Sequence, residues 1–157
     1  MEALKGIDAT LIIAGAMPYG ESFAPYKKKI KENQIRTVEY VKFTDDGFRD
    51  ILFQAADYLV LPYKEFSSQS GVLMQAIRYH LPVIATDVGA FKEYIEKYNI
   101  GFCSEANNVD ALKKSINEAL STNESFEKEL KHASEEHGWD KSAIMYRKLF
   151  LDLGING

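Results

Sequence analysis

The 157-residue chain lacks the features that mark several large classes of protein. Cys103 is its single cysteine, so no disulfide can form within the chain, which fits a reducing compartment. No apolar run approaches the roughly 20 residues that a membrane-spanning helix needs, and no basic segment precedes an apolar stretch at the N-terminus, so a signal peptide is not predicted. The formal net charge of -4 argues against nucleic acid as the main partner, because nucleic acid favours a basic surface.

What the chain does contain is typical of one globular domain, with 46% hydrophobic and 27% charged residues. Short apolar runs predict five strands, at residues 10–14, 38–43, 58–61, 83–86 and 101–104. The runs show little alternation, which is typical of strands buried on both faces of a parallel sheet. Segments with helical spacing separate them. We therefore predict an α/β fold, a Rossmann-like, doubly wound parallel sheet of about five strands.

Beyond residue 104 the pattern is helical only. Three apolar stripes predict three C-terminal helices: Leu112, Ile116, Ala119 and Leu120; Phe126, Leu130 and Ala133; and Ile144, Leu149, Phe150 and Leu153. Asn123 is the predicted cap of the second of these helices, and Asp140 is a candidate cap of the third.

The segment after the third predicted strand carries the strongest functional signal. A loop rich in Ser, Gln and Gly opens onto a helix that is predicted to reach about Tyr79. Ser68 or Ser70 is expected to cap this helix, and Gly71 lets a bulky group approach the backbone because it has no β-carbon. Free N–H groups and the helix dipole make such a helix start suitable for an anion. Gln75 shares the face of Gly71 and suits a sugar hydroxyl, because its amide both donates and accepts. A cap that binds nothing is the alternative.

Ligands of open α/β sheets bind beyond the carboxyl ends of the strands. Four loops are expected there, and all are rich in Gly, Ser, Asp or Pro: residues 15–22, 44–47, 63–70 and 87–90. Asp45 and Asp46 are interpreted as the start of a helix and not as a phosphate acceptor. His80, His132 and His137 lack the spacing of zinc ligands and are predicted to be ordinary surface or helix-end residues.

The order and spacing of these segments resemble the C-terminal domain of the family 4 retaining glycosyltransferases, which have the GT-B fold. The segments that carry the resemblance are residues 11–15, 41–51, 56–62, 82–93, 101–102, 110–112 and 139–146. The resemblance implies half of a GT-B fold, a single domain over residues 1–157 that binds a nucleotide-diphosphate sugar. A separate N-terminal domain would hold a glycan or lipid-linked acceptor, to which a hexosyl group is transferred with retention.

The resemblance also implies the donor-binding positions. Gly15 ends the first strand, Phe43 and Thr44 would flank the base, and Gln75 would meet the ribose. The diphosphate would lie on Ser68, Gln69, Ser70, Gly71 and Val72, and Ser67 is a further donor-binding position. Ser67 and Gln75 stand where the family has two glutamates, so a carboxylate is missing and no catalytic residue is assigned. No metal and no other cofactor is expected, because the loop lacks an acidic pair.

Residues 1–6 resemble only the end of the helix that opens the family's domain. A first strand, a basic loop and the acceptor domain are therefore expected to be missing, and the isolated chain is expected to be inactive. The missing strand would lie centrally, so either residues 10–14 pair directly with residues 58–61 or something else fills the gap. The family alone implies bacterial polysaccharide or lipopolysaccharide assembly and a cytoplasmic location, with peripheral membrane association of the full protein as an option.

Two other functions remain open. A non-catalytic, flavodoxin-like or receiver-like binding module would use Asp45 and Thr86, although Tyr63 and Lys64 fit its spacing poorly. A nucleotide-sugar epimerase shares the fold, but its acid/base carboxylates and histidines are not visible.

Overall fold

The computed structural model describes residues 1–65 and 70–153. Within them the chain forms a short 3-10 helix at Glu2–Leu4, five strands and seven α-helices. The strands are β1 (Thr10–Ala14), β2 (Arg36–Tyr40), β3 (Leu59–Leu61), β4 (Val83–Thr86) and β5 (Gly101–Ser104). The helices are α1 (Ala24–Glu32), α2 (Asp46–Ala55), α3 (Gly71–Arg78), α4 (Phe91–Tyr98), α5 (Val109–Ser121), α6 (Glu127–His137) and α7 (Trp139–Asp152). The predicted α/β alternation followed by C-terminal helices is confirmed.

Hydrogen bonding divides the five parallel strands into two sheets, β1–β2 and β3–β4–β5. In the first sheet Thr10 lies opposite Arg36. In the second, Val83 lies between Leu59 and Gly101. The alternative in which β1 pairs directly with β3 is therefore wrong, and no strand of the described ranges joins the two sheets.

The two sheets are nevertheless flanked by the same helical layers. On one side, Ile84 of β4 forms a buried cluster with Ile116 of α5, and both Ile7, just before β1, and Val60 of β3 pack against it. On the other side lies the larger core cluster, built from β3, β4, α3, α4 and α6, and Phe53 of α2 packs against it. Helix α2 follows β2 of the first sheet, so its Phe53 joins the first sheet to the core that surrounds the second sheet.

Burial is deepest at β4, where all four residues are buried. The prediction that the strands are buried on both faces holds fully only there, since Val38 in β2 is 55% exposed. Strand β2 also ends at Tyr40, before the predicted limit of residue 43. The reason is its single partner: β1 ends at Ala14, directly opposite Tyr40, and the chain then turns with the Lys42 N–H donating to the Tyr40 carbonyl.

The C-terminal helices begin at other residues than predicted. Helix α6 starts after the buried Phe126, so Asn123 does not cap it. Helix α7 starts at Trp139 after Gly138, so Asp140 is not its cap. Six large apolar residues of α7 and the Leu153 that follows it are between 48% and 68% exposed: Ile144, Met145, Tyr146, Leu149, Phe150, Leu151 and Leu153. No helix in the described ranges has the length and apolar character to cross a membrane.

Candidate functional site

The carboxyl end of β1 opens into the first candidate loop. Gly15 has a φ of 129°, a conformation that residues with side chains rarely adopt, and its N–H donates to the Tyr40 carbonyl at 3.2 Å. Beyond its chain neighbours, no atom of the described residues lies within 4 Å of the place where a β-carbon would stand. Gly15 therefore turns the chain away from β1 and leaves open space beside the backbone.

The start of α3 forms the second part of the site. Ser70 is buried, and its Oγ accepts from the Leu73 N–H at 3.3 Å, so the predicted cap is confirmed at this serine. The first intrahelical bond runs from the Met74 N–H to the Ser70 carbonyl at 3.2 Å. The N–H groups of Gly71 and Val72 precede that bond, and within residues 1–65 and 70–153 they donate to no acceptor. Both residues are exposed, so two donors at the positive end of a helix face outward.

One turn further along α3 lies Gln75. Its Oε1 is buried and accepts no hydrogen bond from the part of the chain that the structure describes. A buried acceptor without a donor is costly, and such atoms are rare unless a water or a ligand completes them. Gln75 therefore offers an acceptor below the exposed amides of the helix start.

The loop between β3 and α3 contains three of the predicted donor-binding residues, Ser67, Ser68 and Gln69, which lie outside the described residues. The exit of β3 into this loop is fixed by Thr86, a buried residue at the end of β4. Its hydroxyl lies 2.5 Å from the Tyr63 carbonyl oxygen, to which it donates. This role of Thr86 was not predicted; its signal in the sequence is a hydroxyl that ends an otherwise apolar strand at the carboxyl edge.

The loop between β2 and α2 presents Phe43 and Thr44. Phe43 is 79% exposed, and Thr44 is partly exposed. The Asp45 carboxylate accepts from the Phe48 N–H at 2.8 Å, so its interpretation as a helix cap is confirmed. The exposed ring of Phe43 is available for stacking, because nothing in the described ranges covers it.

A polar cluster links α4 to α6. The Tyr98 hydroxyl donates to Glu136 Oε2 at 2.6 Å, accepts from Lys97 Nζ at 2.6 Å and lies 2.9 Å from His137 Nε2. Burial lowers the pKa of His137, which with Glu93 lines a cavity of about 140 Å³. His137 is exposed and is the last residue of α6, so the prediction that it is an ordinary surface or helix-end residue is confirmed, although its ring also contacts the Tyr98 hydroxyl of α4.

In the described ranges, no three His, Cys, Asp or Glu side chains lie close enough together to hold a metal ion. The groups that the site does offer are backbone donors at α3, the Gln75 acceptor and an exposed aromatic ring. Such a set suits an uncharged or anionic organic ligand with hydroxyl groups.

Comparison with known proteins places this fold among glycosyltransferases. A curated relative, an uncharacterized glycosyltransferase of Methanocaldococcus jannaschii, is 27% identical over 158 residues, which is 98% of this chain and 43% of that protein. The chain thus spans less than half of the relative's length.

Two solved structures show the same fold. Sucrose-phosphate synthase from Thermosynechococcus elongatus superposes with a TM-score of 0.77 at 18% identity, over 96% of this chain and 40% of that chain. HepE of Anabaena, solved in complex with UDP, superposes with a TM-score of 0.73 at 18% identity, over 85% of this chain and 38% of that chain. The predicted fold of a GT-B glycosyltransferase domain is confirmed.

The family assignment itself comes from the sequence match. Residues 1–137, most of the chain, match the family described as "Glycosyl transferases group 1". The chain therefore belongs to the group 1 glycosyl transferases.

Proposed function

We propose that this chain binds a nucleotide-diphosphate sugar at the carboxyl edge of its sheets, as the donor-binding part of a family 4 enzyme. The enzyme would transfer a hexosyl group, with retention, to a glycan or lipid-linked acceptor. The observation that carries the proposal is the start of α3, where the amides of the exposed residues Gly71 and Val72 lie one turn before the buried Oε1 of Gln75, which has no partner within residues 1–65 and 70–153.

The diphosphate is assigned to the α3 end. Backbone N–H groups and the helix dipole both favour negative charge at that position. During transfer the sugar leaves the diphosphate, and charge grows on the departing phosphate oxygen. Donors already aimed at that oxygen stabilise it without rearranging, so the chain would contribute orientation and electrostatic stabilisation. We assign no protein nucleophile and no metal or other cofactor.

The nucleoside is assigned to the remaining groups. Gln75 lies one turn below the diphosphate amides, at a depth suited to a ribose hydroxyl. The exposed ring of Phe43 and the neighbouring Thr44 would flank the base, because an aromatic face stacks on any base. The open space beside Gly15 leaves room for the ligand to pass between the two loops.

The comparisons support the proposal at two points. HepE shares the fold and was solved with UDP, a nucleoside diphosphate. The chain also spans only 43% of its curated relative, so we assign the acceptor to a further domain and expect the isolated chain to lack transferase activity. We place the activity in bacterial polysaccharide or lipopolysaccharide assembly in the cytoplasm, with the full protein associating peripherally with the membrane. A receiver-like function has no comparable support, because the Asp45 carboxylate is engaged as a helix cap.

The test is a titration of the isotope-labelled chain with UDP, GDP, ADP and TDP, followed by backbone amide shifts. We expect one nucleotide to shift the amides of Gly71, Val72 and Thr44 selectively. Gln75→Ala should weaken its binding by about 2- to 12-fold, the equivalent of one hydrogen bond. Gln54→Ala is the matched control, since Gln54 is exposed on α2. If no nucleotide moves these amides at millimolar concentration, the α3 start is only a capped helix and the proposal fails.

A further inference from the structure

Helices α2 and α3 contact each other through an aromatic pair. The rings of Phe53 and Tyr79 stack with centroids 5.1 Å apart, and the Tyr79 hydroxyl donates to the Asp50 carboxylate. Both helices follow strands of parallel sheets and pack on the same side, so they run in the same direction. Arg49 on α2 and Gln75 on α3 each lie one turn before this aromatic pair, on the same helical face as Phe53 and Tyr79 and nearer the carboxyl edge.

Arg49 and Gln75 hold the two buried side-chain atoms that lack a partner in the described ranges. One is a donor, Arg49 Nε, and the other is an acceptor, Gln75 Oε1. The rest of the Arg49 guanidinium is held by carboxylates of its own helix: Nη1 lies 3.0 Å from Asp46 Oδ1, and Nη2 lies 4.0 Å from Asp50 Oδ1. These contacts restrain the guanidinium and leave the buried Nε–H as its donor without a partner in the described ranges.

The chemistry of the two atoms selects one kind of group. A hydroxyl can accept from the Arg49 Nε–H and donate to Gln75 Oε1, which completes both atoms at once. A phosphate oxygen can only accept, so it would leave the Gln75 oxygen unpaired. A ribose hydroxyl has the required character and belongs to the ligand assigned to this edge.

We propose that Arg49 is a ligand-binding residue of the site, and that Arg49 Nε and Gln75 Oε1 together hold one ribose hydroxyl of the nucleotide. The inference rests on the proposed function, because it concerns the ribose of the same ligand. It adds a residue from α2 to a site otherwise built on the loops and on α3. Selection for a ribonucleotide over a deoxyribonucleotide is the expected consequence.

The test compares the chain with its Arg49→Lys variant. Lysine keeps the positive charge beside Asp46 and Asp50 but has no donor where Nε stands. Arg36→Lys is the matched control, because Arg36 is also paired with an aspartate, Asp8, but lies at the amino end of β2. The probes are the ribonucleoside diphosphate that binds best, and its 2′-deoxy and 3′-deoxy analogues. Calorimetric titration gives the dissociation constants, and thermal melting confirms that each variant is folded.

We expect the chain to bind the ribonucleotide at least about 30-fold more tightly than one of the deoxy analogues, because that analogue loses both a hydrogen bond from the charged Arg49 and one to Gln75. Arg49→Lys should reduce that ratio to the roughly 2- to 12-fold of the Gln75 bond alone, and Arg36→Lys should preserve the full ratio. If Arg49→Lys keeps the full ratio, or if the chain itself does not distinguish the analogues, Arg49 Nε faces a buried water and the inference is wrong while the proposed function stands. If no nucleotide binds at all, both are wrong.

Discussion

Gly71 offers a way to separate folding from binding. It lies in the first turn of α3, its φ is not positive, and a methyl group added there would meet no atom of the described residues within 4 Å. Alanine favours a helix over glycine by up to about 1 kcal/mol. In a chain of this size a gain of that order raises the melting temperature by about 2–4 °C. Gly71→Ala should therefore be at least as stable as the unchanged chain.

The same methyl group would occupy the space through which a phosphate reaches the amides of Gly71 and Val72. Losing one hydrogen bond to a charged group costs about 1.5–3 kcal/mol, so the dissociation constant should rise about tenfold to hundredfold. Calorimetric titration with the nucleotide that shifts these amides measures the loss. Gly47→Ala, in the first turn of α2, is the control for the gain in helix stability alone, because a β-carbon there makes only an ordinary 3.5 Å contact with Asp45.

The two measurements together decide the matter. Unchanged affinity in a stabilised Gly71→Ala chain would mean that the diphosphate does not lie on these amides. A lower melting temperature would mean that the start of α3 is constrained by contacts other than its own backbone. Only higher or equal stability with weaker binding supports the assignment.

Two further predictions concern stability. In Gly101→Ala the β-carbon would stand 1.9 Å from the Val83 carbonyl oxygen, at a φ of 150°. The loss in free energy of unfolding should therefore exceed the roughly 1–3 kcal/mol that a strained backbone alone costs. A urea midpoint equal to that of the unaltered chain would contradict the close approach of β5 to β4. Burial lowers the pKa of His137 below its ordinary value of 6.5, so the folded chain binds fewer protons than the unfolded chain and loses stability as the pH falls through about 6.5. The drop in urea midpoint from pH 7 to pH 5 should be smaller in His137→Gln than in the unaltered chain. An equal drop in both would mean that His137 does not cause this loss of stability.

The sequence correctly predicted those helices and strands whose limits depend on residues close by in the chain. The bounds of β1, β4 and β5 match the predicted runs, because each run is apolar and ends at a polar or glycine-rich loop. The caps at Asp45 and Ser70 follow from side chains that bond three residues ahead. The cap predicted at Asn123 was wrong, because burial of Phe126 against the core, and not a capping side chain, sets where α6 begins.

The residues of the candidate site likewise divide into those that nearby sequence indicates and those that depend on tertiary contacts. The candidates on α3 came from the pattern of the loop and helix, and the binding roles of Ser70, Gly71 and Gln75 stay predictions. Arg49 was not identified as a site residue, and Thr86 was considered only for a receiver-like module, because the contacts of both depend on elements distant in the chain. A charged residue within a helical stripe gives no sign that one of its nitrogens will be buried opposite another helix. Tertiary packing alone creates that arrangement.

The division of the strands into two sheets bears on how the site is held together. Thr44 follows the first sheet, and Gly71 follows a strand of the second, with no ladder of hydrogen bonds between β1 and β3. The spacing of the two loops must then be set by side chains, and the described contact that does this on the α2–α3 side is the Phe53–Tyr79 stack with its bond to Asp50. The affinity of a ligand that touched both loops would depend on that contact as well as on the ligand's own hydrogen bonds. Residues at the α2–α3 interface are therefore expected to affect nucleotide affinity even where they do not touch the nucleotide.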